Sequence, residues 1–208
     1  MVDPKLNPKM MEALNAGNLD LVSEALDEGA DPNLILDDGN PLFVAIAFNG
    51  DLEFVKLFLS KGVNINIKNQ IGQSALSGAL MNQNTELVDL LLKKGADVNS
   101  TDASSAPLAI TITNDDLKLA EILLKKGANP NATYVQRVDE QMRNFLKEMI
   151  KSNAFKKPEK GMRIFVDEKT ANDIVSKNLN EIKTSPMILA KNAKSEKMVA
   201  LLKKYGAN

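Results

Sequence analysis

Gly29-Ala30-Asp31-Pro32-Asn33, Gly62-Val63-Asn64-Ile65-Asn66, Gly95-Ala96-Asp97-Val98-Asn99 and Gly127-Ala128-Asn129-Pro130-Asn131 are near-copies of one five-residue phrase, and the sequence closes on Gly206-Ala207-Asn208. The first four glycines are spaced 33, 33 and 32 residues apart. A fixed period of this length marks a repeat architecture, in which each unit buries its apolar face only against its neighbours. Upstream of each phrase runs the apolar pattern of an amphipathic helix. It reads Leu19, Leu21, Val22, Ala25, Leu26, then Leu52, Phe54, Val55, Leu57, Phe58, Leu59, then Leu87, Val88, Leu90, Leu91, Leu92. Leu117, Leu119, Ala120, Ile122, Leu123, Leu124 and finally Met198, Val199, Leu201, Leu202 continue it. Every pattern stops at its glycine, because a helix commonly ends on a left-handed residue that Gly adopts without a Cβ penalty.

A shorter helix precedes each of these, opening near Pro8, Pro41, Ser74, Ala106 and Ser185, with Gly17 and Gly50 among the residues that separate the partners. Each unit is therefore helix, turn, helix and extended loop. The chain resembles the ankyrin repeat, whose opening Thr-Pro-Leu-His-x-Ala is echoed in Ser74-Ala75-Leu76-Ser77-Gly78-Ala79, Ala106-Pro107-Leu108 and Ser185-Pro186-Met187-Ile188-Leu189-Ala190. In the second unit these positions read Pro41-Leu42-Phe43-Val44-Ala45-Ile46. The resemblance covers about 155 of the 208 residues. It implies an all-α repeat solenoid of helix-turn-helix units joined by short hairpin-like fingers. Where the family usually has His, this chain has Met11, Val44, Ser77, Ala109 and Ile188, so apolar packing is expected to replace the family's inter-repeat hydrogen bonds there.

The expected organisation is one ankyrin-repeat domain over 1–208, with repeats near 7–36, 37–69, 70–102, 103–133 and 184–208. The end units are expected to carry polar outer faces: Lys203 stands where Leu59, Leu92 and Leu124 stand, and Lys9, Glu12 and Asn15 mark the first helix. That reads as an array complete at both ends. From Gly127 to Gly206 is 79 residues, 46 more than one period. Segment 134–183 is thus either a degenerate repeat or a helical insertion. Val135, Val138, Met142, Phe145, Leu146, Met149 and Ile150 keep the 3.6 period and predict a helix from about Tyr134 to Ser152. Lys156 to Gly161 reads as a loop, Ile164-Phe165-Val166 is too short to assign, and Thr170 to Ile182 fits a helix or a deformed finger.

Composition excludes whole classes of chemistry. With no Cys and no His there is no disulfide, no thiolate or imidazole ligand, no nucleophilic Cys and no His-based triad. The longest apolar stretch, Leu42 to Phe48, falls far short of the roughly 18 residues of a membrane span. No secretory signal is visible in the first twenty residues. A soluble, cytoplasmic, monomeric protein without cofactor or metal is the expectation.

Local motifs resolve into turn and cap chemistry. Asp37-Asp38-Gly39-Asn40 lacks the Glu that closes a calcium loop and fits a tight turn at a finger tip. Asp115-Asp116 lies in a short interhelical turn, where adjacent carboxylates are solvated rather than paired as acid and base. Asn99-Ser100-Thr101 and Asn131-Ala132-Thr133 match the glycosylation sequon but fall out of the repeating phrase. No phosphate-binding glycine loop occurs. Lys61, Lys93, Lys94, Lys125, Lys126, Lys203 and Lys204 cluster at outer-helix ends, where cations complement the macrodipole; no aromatic residues interleave them, so nucleic acid is not expected.

Charge is polarised along the chain. Residues 1–66 carry 4 basic and 11 acidic side chains, net −7; residues 67–131 carry 6 and 7, net −1; residues 132–208 carry 16 and 9, net +7. Such polarity steers partners or favours head-to-tail contacts.

The resemblance implies a non-enzymatic module that binds another protein through the concave face of its repeats, as adaptor or inhibitor. Carried over position by position, the finger contacts are Asp38, Asn40, Ile71, Gln73, Asp102 and Ser105. The inner-helix contacts are Asn15, Phe48, Asn49, Met81, Asn82, Thr113 and Asn114, with Phe48 and Met81 expected as exposed apolar anchors. Two alternatives are that segment 134–183 holds the binding or enzymatic site on a repeat scaffold, and that the chain is a self-assembling spacer.

Overall fold

The computed structural model describes residues 3–100, 102, 105–138, 140–152 and 166–208. Ile164, Phe165 and the expected loop from Lys156 to Gly161 lie outside the described residues. The chain divides into two compact units, residues 1–97 and 98–208.

The first unit holds three helix pairs: α1 (Asn7–Asn15) with α2 (Leu19–Glu28), α3 (Leu42–Asn49) with α4 (Leu52–Ser60), and α5 (Ala75–Met81) with α6 (Thr85–Lys93). Their ends follow from local chemistry. The Asn18 and Asn84 side-chain carbonyls accept the Leu21 and Leu87 N–H groups, and Ser74 and Ser77 form a reciprocal capping box. Gly29 closes α2 in the left-handed region at φ 119°. Helix α3 packs on α5 and α2 on α4. Phe43, Phe58, Leu76, Leu80, Leu87 and Leu91 are fully buried, with the Phe43 and Phe58 rings stacked at 6.5 Å. Val44 and Ser77, at the family's His position, are buried as well, the Ser77 hydroxyl accepting the Ser74 N–H in the capping box.

The repeating phrase links neighbours through its asparagines. Asn33 Oδ1 accepts the Asn64 N–H at 2.7 Å, Asn66 Oδ1 accepts that of Asp97 at 2.8 Å, and Asn7 Oδ1 accepts that of Asp31 at 2.9 Å. Within a loop, Asp31 and Asn64 accept the N–H groups of Asn33 and Asn66, an Asx turn that aims each Asn at the next repeat. These bonds satisfy backbone donors that no helix or strand ladder reaches.

The second unit contains α7 (Pro107–Thr113), α8 (Leu117–Lys125), β1 (Tyr134–Arg137), α9 (Glu140–Lys151), α10 (Glu168–Lys177), β2 (Glu181–Thr184), α11 (Pro186–Asn192) and α12 (Glu196–Lys204). Helix α11 packs on α7 and α12 on α8. Ala109 is buried at the family's His position, whereas Ile188 is 46% exposed. The asparagine pattern continues here: Asn129 N–H donates to Asn99 Oδ1 and Asn208 N–H to Asn131 Oδ1, both at 3.0 Å.

Strands β1 and β2 pair antiparallel from Tyr134↔Thr184 to Arg137↔Glu181, extended by Val138 N–H to the Asn180 carbonyl at 2.8 Å. Between them α9 and α10 pack together around Val138, Leu146, Val166, Ala171, Ile174 and Ile182. Arg143 Nη2 fastens the base of this element by donating to the Leu179 carbonyl at 3.0 Å.

One expectation about this segment is corrected and one open alternative is resolved. The helix expected from Tyr134 begins only at Glu140, because Tyr134–Arg137 is drawn into the ladder with β2. The stretch Thr170 to Ile182 is both alternatives in succession: α10 ends at Asn178, left-handed at φ 52°, and the chain then enters β2. The all-α repeat fold with a helical element before the last repeat is otherwise as the spacing implies.

Candidate protein interface

In the first unit, finger two is a short turn held by Leu36 N–H to the Asn40 carbonyl and Gly39 N–H to the Leu36 carbonyl. Asp38 accepts the Asn40 backbone N–H at 2.9 Å and its side-chain amide at 2.8 Å. The side-chain bond first, and the backbone bond second, hold the Asp38 carboxyl below the usual carboxylate range. Gly39 sits at φ 79°, a left-handed conformation that L side chains rarely adopt, and a Cβ there would displace the Gln70 side-chain amide. Finger three is organised by Asn69, whose Oδ1 accepts the Ile71 and Gln73 N–H groups and whose amide donates to Gln73 Oε1.

These fingers and the exposed side of α3 enclose an open groove of about 290 Å³. Its apolar lining is Leu36, Val44, Ala45 and Phe48; its polar lining is Asp38, Asn40, Asn49, Asn69 and Gln73. Five of the expected contact residues, Asp38, Asn40, Phe48, Asn49 and Gln73, thus meet on one concavity. Leu36, Val44, Ala45 and Asn69 were missed as groove residues, although their register follows from the repeat. Ile71, 62% exposed at the tip of finger three, is outside the lining.

The anchors differ from expectation. Phe48 and Met81 are half-buried, not exposed. The Phe48 ring lies so close to Gly78 of α5 that a Cβ on Gly78 would stand 2.5 Å from Phe48 Cδ2. Met81 receives the Gln73 amide on its sulfur at 3.9 Å, and the Asn82 amide donates to the Phe48 carbonyl. Of these side chains Phe48 lines the groove, and Met81 adjoins it through Gln73. Asn15, at the end of α1, is exposed.

In the second unit the expected contacts are less open. Ser105 is buried, 2% exposed, because β1 runs beside its finger, Val135 bridging Asp102 in parallel register. Its hydroxyl and that of Thr184 have no hydrogen-bond partner among the described residues. Asp102 and Asn114 are half-buried, and the Thr113 hydroxyl bonds back to the Ala109 and Ile110 carbonyls.

The other motifs take structural roles. Asp116 caps α8 through the Leu119 N–H, while Asp115, left-handed at φ 52°, accepts the Ser195 hydroxyl. Lys61, Lys93, Lys125 and Lys204 pair with Asp27, Asp89, Glu121 and Glu121 in turn. The Asn99 and Asn131 amides donate to the Gly127 and Gly206 carbonyls. Among the described residues, no group of three or more Asp and Glu side chains is placed to hold a metal, and no helix is long and apolar enough to cross a membrane.

The family described as Ankyrin repeats (3 copies) matches the chain over residues 10–102 and 42–134. That is more than half of its length, and the protein belongs to the ankyrin repeat family, whose members are generally protein–protein interaction modules. No curated protein matches the chain.

Proposed function

We propose that this protein is a non-enzymatic adaptor or inhibitor that holds a protein partner on the fingers and inner-helix ends of its repeats. The observation that carries the reading is the groove between finger two, α3 and finger three, where five residues chosen from repeat position alone converge. An apolar floor with amide groups around it suits peptide recognition: the floor takes a side chain, and the amides meet backbone donors and acceptors. Within the first unit, the expected contacts Asn15, Ile71, Met81 and Asn82 belong to the same fingers and inner-helix ends; in the second unit, Asp102, Thr113 and Asn114 hold the corresponding repeat positions, while buried Ser105 serves packing. Segment 134–183 is then an insertion in the last finger rather than a degenerate repeat, a reading supported by its leaving and re-entering through one strand pair.

The test compares co-purification from native-source lysate by wild type, by Ala45→Arg with Ile71→Arg, and by a chain in which residues 139–179 are replaced by Asn-Gly. Each must keep its helical circular dichroism. A partner held by wild type and by the shortened chain, but lost with the double arginine variant, supports the reading. Loss only in the shortened chain transfers the function to the insertion.

A further inference from the structure

The first unit is acidic as a whole: residues 1–97 carry 7 basic and 14 acidic side chains, net −7. The groove inherits that sign. Among the described residues, Asp38 is the one ionisable group that lines it and no Lys or Arg does; Asp37, next to Asp38 in the chain, is exposed. Both Asp38 oxygens already accept hydrogen bonds from Asn40, which fixes the carboxylate at the rim without neutralising it. At about 290 Å³ the groove lies at the lower limit of sites that enclose drug-sized molecules, and its polar lining is otherwise uncharged amide. It has room for one large apolar side chain with a short run of backbone, not for a cofactor. A cation beside that side chain meets Asp38 and the acidic field, whereas an anion meets repulsion.

Resting on the function proposed above, we infer that the groove of fingers two and three recognises an extended basic segment of a partner protein, one apolar side chain on the floor of Leu36, Val44, Ala45 and Phe48 and a flanking Lys or Arg on Asp38. Asn49, Asn69 and Gln73 bracket the backbone between them.

The test titrates the isotope-labelled full chain with three synthetic twelve-residue peptides in a Gly/Ser background. One carries a central Leu flanked by two Lys on each side, one has Glu in place of every Lys, and one keeps the Lys but has Ser for Leu. The Lys–Leu peptide is expected to shift the side-chain amides of Asn40, Asn49 and Gln73. Its affinity falls about five-fold on Asp38→Asn and again when salt is raised from about 0.05 to 0.5 M, because exposed charge attraction is screened. The Glu and Ser peptides bind at least about ten-fold more weakly, and Ala45→Arg abolishes the shifts. Equal binding of the Lys and Glu peptides at these amides overturns the charge assignment while leaving the groove as the binding site. Shifts confined to other residues overturn both readings. Peptide-independent shifts at the groove that grow with protein concentration make a second copy the occupant and overturn the inference, as does the absence of any shift at millimolar peptide.

Discussion

Asn131 Oδ1 accepts the backbone N–H of Asn208 at 3.0 Å across 77 residues of chain, the same bond that Asn99 Oδ1 makes with Asn129 N–H across 30. The Asn131 amide adds a bond to the Gly206 carbonyl at 2.8 Å. The last repeat therefore seats on the fourth as though nothing intervened, and the intervening α9 and α10 gather around an apolar cluster of their own.

Excision follows from this. A chain in which residues 139–179 are replaced by Asn-Gly, a dipeptide suited to a two-residue hairpin, is expected to fold with α11 still on α7. Far-ultraviolet circular dichroism and one cooperative denaturation transition report it. Loss of protection at Met198 and Leu202 amides would show that the last repeat depends on the insertion.

Asn131→Ala removes both bonds to the last repeat at once. With net values near 1 kcal/mol for a hydrogen bond, the expected loss is about 1–2 kcal/mol, concentrated in α11 and α12. Asn131→Asp keeps the acceptor and loses the donor, so it falls between. Hydrogen exchange at Leu202 measures both.

Phe48 and Gly78 are coupled. An alanine in a helix interior is ordinarily better than glycine by about 1 kcal/mol, but at position 78 its Cβ meets the Phe48 ring at 2.5 Å. Gly78→Ala is therefore expected to destabilise wild type and to stabilise a Phe48→Ala background. Urea denaturation of the four chains gives the coupling energy, and additive effects would mean the ring moves aside freely.

Gln83 stands at φ 55°, in the interhelical turn position that Gly17 and Gly50 occupy in the preceding repeats. Relief of left-handed strain makes Gln83→Gly stabilising by about 0.5–1 kcal/mol, visible as a raised denaturation midpoint. Unchanged stability would show that the turn holds Gln83 without strain.

Asp167 caps α10 by accepting the Thr170 N–H at 2.7 Å. That backbone bond, then the Thr170 hydroxyl, holds its carboxyl below the usual range. A depressed folded-state pKa means that the cap's pH-linked contribution is complete above the unfolded value near 4 and disappears as pH falls through the folded one. Asp167→Asn, which caps without titrating, is expected to flatten this acid dependence of α10, followed by amide exchange between about pH 2 and 6. Asp167→Ala costs about 1 kcal/mol near neutrality.

Much of this protein is written locally. The repeating glycines, the Asn18, Ser74, Asn84, Asp116 and Ser195 caps and the amphipathic stripes act within one helix turn or one loop, so within the repeats the residues alone specify about where the helices begin, end and turn their apolar sides. The groove positions Asp38, Asn40, Asn49 and Gln73 were legible because a repeat transfers register from one unit to the next. What each position touches was decided only in three dimensions. The ring of Phe48 settles on Gly78 one repeat away, Ser105 is covered as β1 comes alongside its finger, and Tyr134–Arg137 becomes strand because Glu181–Thr184 returns to pair with it. Such contacts depend on segments some 30 to nearly 50 residues apart, and no periodicity within one segment encodes which partner will close over it.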